Sequence, residues 1–483
     1  MITTISDNQP NGRLKSLSNL KFKEQTNTLI YDVVINSTSN NTQTTYYTSD
    51  TAYIDVSKNT SIESQIPLFF KYRDTIKIPN KVEYAIRKYL GSQLSKIHPD
   101  KEVAKELCLL VLSQLNSTNF DLQDNPDGWK RLQAKYLRDL IGVDGTAYKR
   151  IIEVLQTPLK KGQILEVSYD YKIGERSRNY RLGGHFRNKG MSKYTLTTKL
   201  AKNAYIDYQV RLLDQAMENP ICLNLLDFYK SIELPTIAEI EEEANRLIGE
   251  EFKTKKGKLL KRLNKHSKEY YANAAECSFV EDGIAIFKHL TEHGLMVPSV
   301  GGERSGGRIV DSFTLMPSWI RKMVKIDGQK LSELDYRCLH PNIAMAEYGG
   351  GFEYLTHNFI ADKLKIDLST VKIEHLSFFN KTTHQMKQSP IWAFYKTHLP
   401  EMIRAIEKEK LSSEFKYRVT SRKLFKKEVV IMTDVINRLN AQGIYVGYVY
   451  DALICHPKDA NIVAQVMNEV VLEKGVKTVV GGF

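Results

Sequence analysis

Two apolar, β-prone runs stand out in the pattern of hydrophobic and polar positions, and one aspartate interrupts each run. LSELDYRCLHPNIAM, residues 331–345, contains Asp335, and GIYVGYVYDALICHP, residues 443–457, contains Asp451. Such runs predict buried strands, where an isolated carboxylate is costly to bury unless it is paired or binds a metal. Two aspartates on neighbouring strands would hold two divalent ions. Either aspartate taken alone is more typical of a strand end or a turn.

The rest of the chain has mainly helical periodicity. Apolar residues recur at three- and four-residue spacing in residues 66–116, and residues 190–300 show few strand signals. The basic run at 253–268 fits either a solvated helix face or an element that follows a nucleic-acid backbone. One long helix before the second aspartate carries an apolar stripe that predicts core packing, formed by Val429, Met432, Val435, Ile436 and Leu439.

Residues 128–156 read as a helix, a short turn and a second helix, and two strands, ILEVSYDYKI and RNYRLGGHF, follow. This order resembles the winged helix-turn-helix modules of plasmid and phage replication proteins. The resemblance implies phosphate contacts from the second helix and from the hairpin, by Lys149, Arg150, Lys172, Arg176, Arg178 and Arg181. A small helical packing domain with a solvated basic hairpin is the alternative.

Composition narrows the class of protein. The chain has 483 residues, 42% of them hydrophobic, which indicates a folded protein of several domains. A formal charge of +13 favours a polyanionic partner, and five widely spaced cysteines without a CxxC pair indicate reduced thiols. Neither a membrane span nor a signal peptide is evident, so we expect a cytoplasmic protein with no membrane partner. Residues 1–65, rich in Ser, Thr and Asn, predict an irregular arm.

The segment at 306–336, GGRIVDSFTLMPSWIRKMVKIDGQKLSELDY, resembles the start of the palm in family A DNA polymerases and in the related phage-type single-subunit RNA polymerases. In that family a Gly-Arg, an apolar segment, a further arginine and a strand lead to a metal-binding aspartate. The resemblance implies that Arg308 contacts primer or template, that Arg321 supports the palm and that Asp335 is a metal ligand.

A helix between the two aspartates is the second point of comparison. The family carries an arginine there, a lysine four residues later toward the triphosphate, and then a Tyr-Gly pair. This chain has Lys372 in the lysine position, but Leu368 replaces the arginine and Asn380 replaces the tyrosine. Compensation would come from Lys365, His375 or Lys381, since a point charge does not match a bidentate guanidinium. An ordinary solvated lysine is the alternative for Lys372.

The third motif of the family is His-Asp followed by Glu or Ser, and here it is Tyr450-Asp451-Ala452. The metal-binding aspartate is present and its neighbours differ. Family A DNA polymerases exclude the ribose 2′-hydroxyl with a glutamate five residues after the first aspartate, where this chain has His340. The imidazole fits either a steric block or a hydrogen bond to that hydroxyl. With Tyr336 and Asn380, it completes the nucleotide contacts that the resemblance implies.

These resemblances imply an α+β protein: a right-hand polymerase-like catalytic half, with an antiparallel palm, helical fingers and a helical thumb, preceded by a winged helix-turn-helix domain. The expected divisions are an irregular arm at 1–65, a helical and winged-helix domain at 66–190, a thumb-like region at 191–300, and palm and fingers at 301–483.

The implied activity is template-directed DNA synthesis from nucleoside triphosphates in the replication of a plasmid, phage or mobile element. Asp335 and Asp451 would hold two Mg²⁺ ions, or Mn²⁺ in their place, and Lys372 would act on the leaving pyrophosphate. The implied partners are primer-template DNA, and duplex DNA at the winged helix. An RNA polymerase or primase, and a non-catalytic DNA-binding initiator with a degenerate palm, are the alternatives.

Overall fold

A computed structural model describes residues 74–116, 127–142, 146–168, 170–171, 177–187, 190–254, 257–263, 276–291 and 297–482. The predicted arm at 1–65 lies outside these ranges. Helices alternate with short strands in small sheets, so the predicted mixed α+β class is confirmed. In these ranges, no helix combines the length and the apolar character that crossing a membrane requires.

The first part of the fold is built around one helix that is buried along nearly all of its length. Its helices are α1 (Val82–Tyr89), α2 (Lys101–Ser113), α3 (Ala134–Ile141) and α4 (Ala147–Leu155), and its strands are β1 (Thr75–Pro79), β2 (Lys130–Arg131), β3 (Leu165–Ser168), β4 (Asn179–Leu182) and β5 (Met191–Thr195). Strands β2, β4 and β3 form an antiparallel sheet in that order. Nearly the whole of α2 is buried, because apolar residues surround its axis.

Strand β5 departs from the helical pattern expected for residues 190–300. It pairs antiparallel with β1, so that Thr75 lies opposite Thr195. The buried Glu106 on α2 fixes this corner, since its carboxylate accepts the backbone and hydroxyl hydrogens of Thr197 and Thr198 at 2.6–2.9 Å. Short strands with distant partners give no local periodicity, which is why the pattern missed this pair.

Helix α5 (Lys199–Met217) connects the two hydrophobic cores. Ala201 and Tyr205 near its start pack in the first core, whereas Ala216 near its end packs in the second. Beyond it the chain forms further helices and a parallel strand pair: α6 (Pro220–Phe228), α7 (Ile237–Gly249), β6 (Leu259–Lys261), β7 (Cys277–Phe279) and α8 (Val280–Thr291). The described part of the basic run thus contains the strand β6, where one interpretation of the sequence expected a helix face.

The second core surrounds a four-stranded antiparallel sheet. Two short strand pairs and two single-turn helices lead into it: β8 (Ser299–Val300), β9 (Ile309–Val310), α9 (Ser312–Leu315), α10 (Ser318–Arg321), β10 (Lys325–Ile326) and β11 (Gln329–Lys330). The sheet has the order β13-β14-β12-β15 and consists of β12 (Ser332–Tyr336), β13 (Gly447–Val449), β14 (Ala452–Cys455) and β15 (Val480–Gly481).

A helical block separates β12 from the β13–β14 hairpin in the chain. It comprises α11 (Leu339–Tyr348), α12 (His357–Leu364), α13 (Leu368–His375), α14 (Thr383–Lys387), α15 (Trp392–His398), α16 (Pro400–Ser412) and α17 (Val419–Asn440). Helix α18 (Ala460–Glu473) follows the hairpin and packs against both α17 and β12. Four residues of the apolar stripe predicted on α17 are buried, Met432, Val435, Ile436 and Leu439, whereas Val429 is only partly buried.

Candidate active site

The two aspartates lie beside each other at one end of the strands of the central sheet. Across β12 and β14, Asp335 lies opposite Ala452, and Asp451 directly precedes that alanine. Asp335 is on a strand as expected, but Asp451 stands in the β13–β14 turn, next to Tyr450 in the left-handed conformation at φ +61°. A non-glycine residue rarely adopts this conformation, and strained turns of this kind are frequent at functional sites.

Both aspartates line a cleft of about 1130 Å³. The cleft brings together residues from seven separated segments of the chain, among them Arg308, His340, Lys372, Asn380, Gly481 and Gly482. Most of these are residues that the sequence singled out independently of one another. Among the described residues, no group of three or more His, Cys, Asp or Glu is arranged to hold a metal ion.

Asp451 is in an unfavourable environment for a negative charge. Burial raises the pKa of its carboxyl, and the charge of the nearby Glu428 raises it further. His340 and Arg308 act in the opposite direction and offset only part of this shift. A cation beside Asp451 would favour the ionised form, so the carboxylate is poised to accept one.

Arg308 reaches the cleft from a glycine-rich loop that lies flat against α17. Gly306 has φ +67°, and a Cβ atom there would lie 2.6 Å from the Cβ of Phe425. The guanidinium of Arg308 stacks over the Phe425 ring at 3.7 Å and lies 4.7 Å from the centre of the Tyr450 ring. The glycine at position 306 therefore has a structural reason, because only glycine allows the backbone to approach the helix this closely.

Glu428 on α17 is a member of the site that the sequence interpretation missed. Its fully buried carboxylate accepts two hydrogen bonds from Arg308, at 2.8 and 2.5 Å, and lies 2.7 Å from His340 Nε2. The sequence does contain a sign of its burial, because Glu428 falls on the apolar stripe of α17, one turn before Ile431 and Met432. A carboxylate on a core stripe needs a buried partner.

The cleft is also lined by Lys372 on α13 and by Asn380 in a short 3-10 helix, Phe378–Asn380. Asn380 Oδ1 accepts a hydrogen bond from Ser421 at 2.9 Å. The sequence interpretation places Lys372 and Asn380 on one helix, but α13 already ends at His375. Leu376, the residue after this end, is 73% exposed. Lys372, Leu376 and Asn380 nevertheless all line the cleft.

Leu368 stands where the family has an arginine, and the sequence offers three candidate substitutes for it: Lys365, His375 and Lys381. They do not add a second free cation to the cleft beside Lys372. Lys381 forms an ion pair with Glu374 at 2.6 Å, and Lys365 is not among the cleft residues. His375 lines the cleft, but burial, with the neighbouring His357, lowers its pKa to about 3. Leu368 itself packs against the second core.

Two other predicted residues have their polar groups turned to the protein interior. Arg321 is buried outside the cleft, with Nη1 3.4–3.5 Å from the carbonyl oxygens of Phe313, Thr314 and Met316. The Tyr336 hydroxyl donates to the Met467 carbonyl at 2.7 Å, and its side chain is 3% exposed. Any nucleotide contact by Tyr336 would therefore use its backbone.

The basic residues of the first part of the fold are distributed between α4 and the β3–β4 hairpin. Lys149 is exposed on α4, beside Arg150, and Arg178 stacks over Tyr171 at 4.6 Å. Arg181 pairs with Glu166 at 2.6 Å and stacks over Trp129, so it is used inside the protein. Lys172 and Arg176 lie outside the described residues.

Comparison with known proteins adds little to this geometry. No protein-family model and no curated protein matches the chain. Among solved structures, the chain is similar to the POL domain of Pol1 from M. smegmatis in complex with DNA primer-template and dNTP, at 12% identity, covering 59% of this chain and 72% of that chain, with a TM-score of 0.34. At so low a TM-score the similarity supports no conclusion about function, and the case for an activity rests on the cleft.

Proposed function

We propose that the chain is a nucleotidyltransferase that extends a nucleic-acid strand, and that the reaction takes place in the cleft. One observation carries this proposal: two carboxylates from distant segments, Asp335 and Asp451, lie beside each other at one end of the sheet strands, in a cleft that Lys372 and Arg308 also line. A carboxylate pair with cations nearby suits a substrate that has both phosphates and a divalent metal.

The donor set of the cleft fits magnesium. Mg²⁺ prefers oxygen ligands and is usually bound by one or two carboxylates together with water and substrate phosphates, so it does not require a cluster of three protein ligands. Asp335 and Asp451 would supply the carboxylates. When bound, such ions lower the pKa of an attacking hydroxyl and stabilise charge on the phosphoryl oxygens.

The residues of the cleft have distinct roles in this proposal. The 3′-hydroxyl oxygen of the growing strand forms a bond to the α-phosphorus while the bond to the β-phosphate oxygen breaks, and pyrophosphate leaves. Lys372 neutralises the pyrophosphate, and Asn380 lies where a sugar or base would bind. Arg308 faces the primer or template, stacked on Phe425 and fixed by Glu428. Arg321 holds the segment that leads to β12.

The finer proposal is DNA-directed DNA synthesis of the family A type, with the β12–β15 sheet as palm, helices α11–α17 as fingers and the preceding helical region as thumb. An RNA polymerase or primase is the second candidate. His340 favours it, because Nε2 is held by Glu428 and the imidazole stands in the position where a family A DNA polymerase has its excluding glutamate.

The first part of the fold would bind duplex DNA as a winged helix. Its support is the element order: α2, β2, α3, α4, then a hairpin that completes the sheet β2-β4-β3. Lys149 and Arg150 on α4 and Arg178 on the hairpin would contact phosphates.

Extension of a labelled primer on a DNA template with Mg²⁺ tests the proposal, with dNTPs and NTPs in separate reactions. Asp335→Asn and Asp451→Asn should each lower the extension rate by roughly 10²–10³-fold or more. Asp434→Asn on α17 is the matched control, because it breaks only the ion pair with Lys474. Extension with NTPs alone would select the second candidate. Extension that survives in both cleft variants would refute the proposal.

A further inference from the structure

Glu428 joins three segments at the cleft, and its position is unusual. It is 0% exposed, yet it is held ionised: burial acts to raise the pKa of its carboxyl, but His340 and Arg308 outweigh burial and lower it. Both of its oxygens are used, one by Arg308 Nε and the other by Arg308 Nη2 and His340. A bidentate guanidinium pair of this kind fixes direction as well as charge.

Arg308 has a second carboxylate in its surroundings, that of Asp451. The charges of Glu428 and, more weakly, Asp451 both raise the pKa of Arg308 against the effect of burial. The guanidinium also stacks on Tyr450, the residue next to Asp451. In the absence of Glu428, Asp451 would be the acidic group left to attract Arg308.

We infer that Glu428 is a positioning residue that keeps Arg308 and His340 away from Asp451 and thereby sets the affinity of the aspartate pair for a divalent cation. The inference rests on the proposed function, since it assumes that Asp335 and Asp451 bind the cation. An arginine that turned to Asp451 would compete with the cation for the same oxygens and add a like charge beside it. Glu428 would prevent this without being a ligand.

Binding of Mn²⁺ to the full chain, followed by electron paramagnetic resonance of the free ion without nucleotide or DNA, measures this effect directly. Glu428→Gln should weaken Mn²⁺ binding by roughly tenfold, because the freed guanidinium, which stacks on Tyr450, can turn to the neighbouring Asp451. The double variant R308M/E428Q should bind Mn²⁺ within about threefold of the wild type, since it removes the competitor together with its partner. Asp434→Asn, on the same helix, should bind as the wild type does.

Each result separates this inference from the proposed function. If Asp451→Asn binds Mn²⁺ as the wild type does, the cation site itself is wrong. If Asp451→Asn loses binding while Glu428→Gln does not, or if R308M/E428Q is as weak as Glu428→Gln, only the role of Glu428 is overturned. If Glu428→Gln fails to fold, the variant R308K/E428Q replaces it. Its free lysine should weaken Mn²⁺ binding roughly tenfold relative to R308M/E428Q. Equal Mn²⁺ affinities of these two double variants would overturn the inference.

Discussion

The backbone N–H of Tyr336 donates a hydrogen bond to the backbone oxygen of Asp451, 3.4 Å away. This bond continues the pairing of β12 with β14 into the hairpin turn, and it brings the second aspartate beside the first. A slip of one residue along β12 would turn Asp335 to the opposite face of the sheet. The buried pair Leu334 and Leu453 opposes such a slip, so core packing also fixes the site.

Lys372 should matter for nucleotide binding more than any other lysine of the helical block. Lys372→Ala removes a charged contact to the triphosphate, which is worth about 2 kcal/mol or roughly thirtyfold in kcat/KM. The measurement is steady-state incorporation of a single nucleotide at varied triphosphate concentration. Lys372→Arg should recover much of the loss.

Lys381→Ala is the control for that experiment. Lys381 lies close in the chain but pairs with Glu374 outside the cleft. Its removal should leave kcat/KM within about twofold of the wild type, because an ion pair of this kind contributes little. Equal losses in the two alanine variants would show that Lys372 has no special contact with the nucleotide.

Gly306 and Gly307 form a matched pair for testing the Arg308 loop. Both have positive φ, at +67° and +82°, but a Cβ would meet α17 only at Gly306. Gly307→Ala should cost about 1 kcal/mol from backbone strain, and Gly306→Ala about 2–4 kcal/mol from strain and overpacking together. Urea unfolding measures both. Similar costs would show that the loop does not need its close contact with α17.

The basic residues near α4 should make DNA binding dependent on salt. Lys149→Ala and Arg178→Ala should each weaken duplex binding and reduce the slope of log K against log salt by about one. Arg181→Met is the contrasting variant, since Arg181 pairs with Glu166. It should lower stability while the salt slope stays unchanged. Fluorescence anisotropy of a labelled duplex between low and moderate salt gives these slopes.

Asp311 should make stability fall as pH rises. Burial raises the pKa of its carboxyl to about 7, while its hydrogen bonds with Thr314 and the charge of Arg321 offset only part of this effect. In the unfolded chain the pKa is about 4, so between about pH 4 and 7 the folded state holds a proton that the unfolded state has lost. The free energy of unfolding should therefore decrease across this window, by on the order of 4 kcal/mol in total.

Asp311→Asn should remove that pH dependence, because the amide stays neutral at every pH. Urea unfolding at pH 5 and at pH 7.5 gives the two free energies to compare. Asp227→Asn, which only breaks the exposed pair with Lys230, should keep the wild-type difference. A difference that persists in Asp311→Asn would assign the titration to another group.

Local patterns were enough to find the elements that carry the aspartates. Strand β12 and the β13–β14 hairpin correspond to the two apolar runs: every residue of β13 and β14 is buried, and β12 buries Leu334 and Tyr336 on either side of Asp335. Helix α17 follows from its stripe of period 3.6. The cleft also contains seven predicted site residues, although their predicted roles stay predictions: Arg308, Asp335, Tyr336, His340, Lys372, Asn380 and Asp451.

Local patterns could not predict the features that depend on partners distant in sequence. The pairing of β1 with β5 joins segments more than a hundred residues apart, and neither segment shows its partner. The place of Glu428 on the apolar stripe of α17 indicates that it has a buried partner, but nothing near it in the sequence identifies the partners as Arg308 and His340. The end of α13 at His375 reflects burial of that histidine against Tyr395, which is a tertiary contact and not a local propensity.

Strand β12 has a difficult position during synthesis of the chain. Both of its neighbours in the sheet, β14 and β15, are made only after the whole helical block at residues 337–446 has been added. At roughly 5–20 residues per second, the strand would leave the ribosome with both edges unpaired for on the order of ten seconds. Exposed strand edges invite pairing with other chains, so a growing chain would need a chaperone, or early docking of α11 on β12, to avoid aggregation.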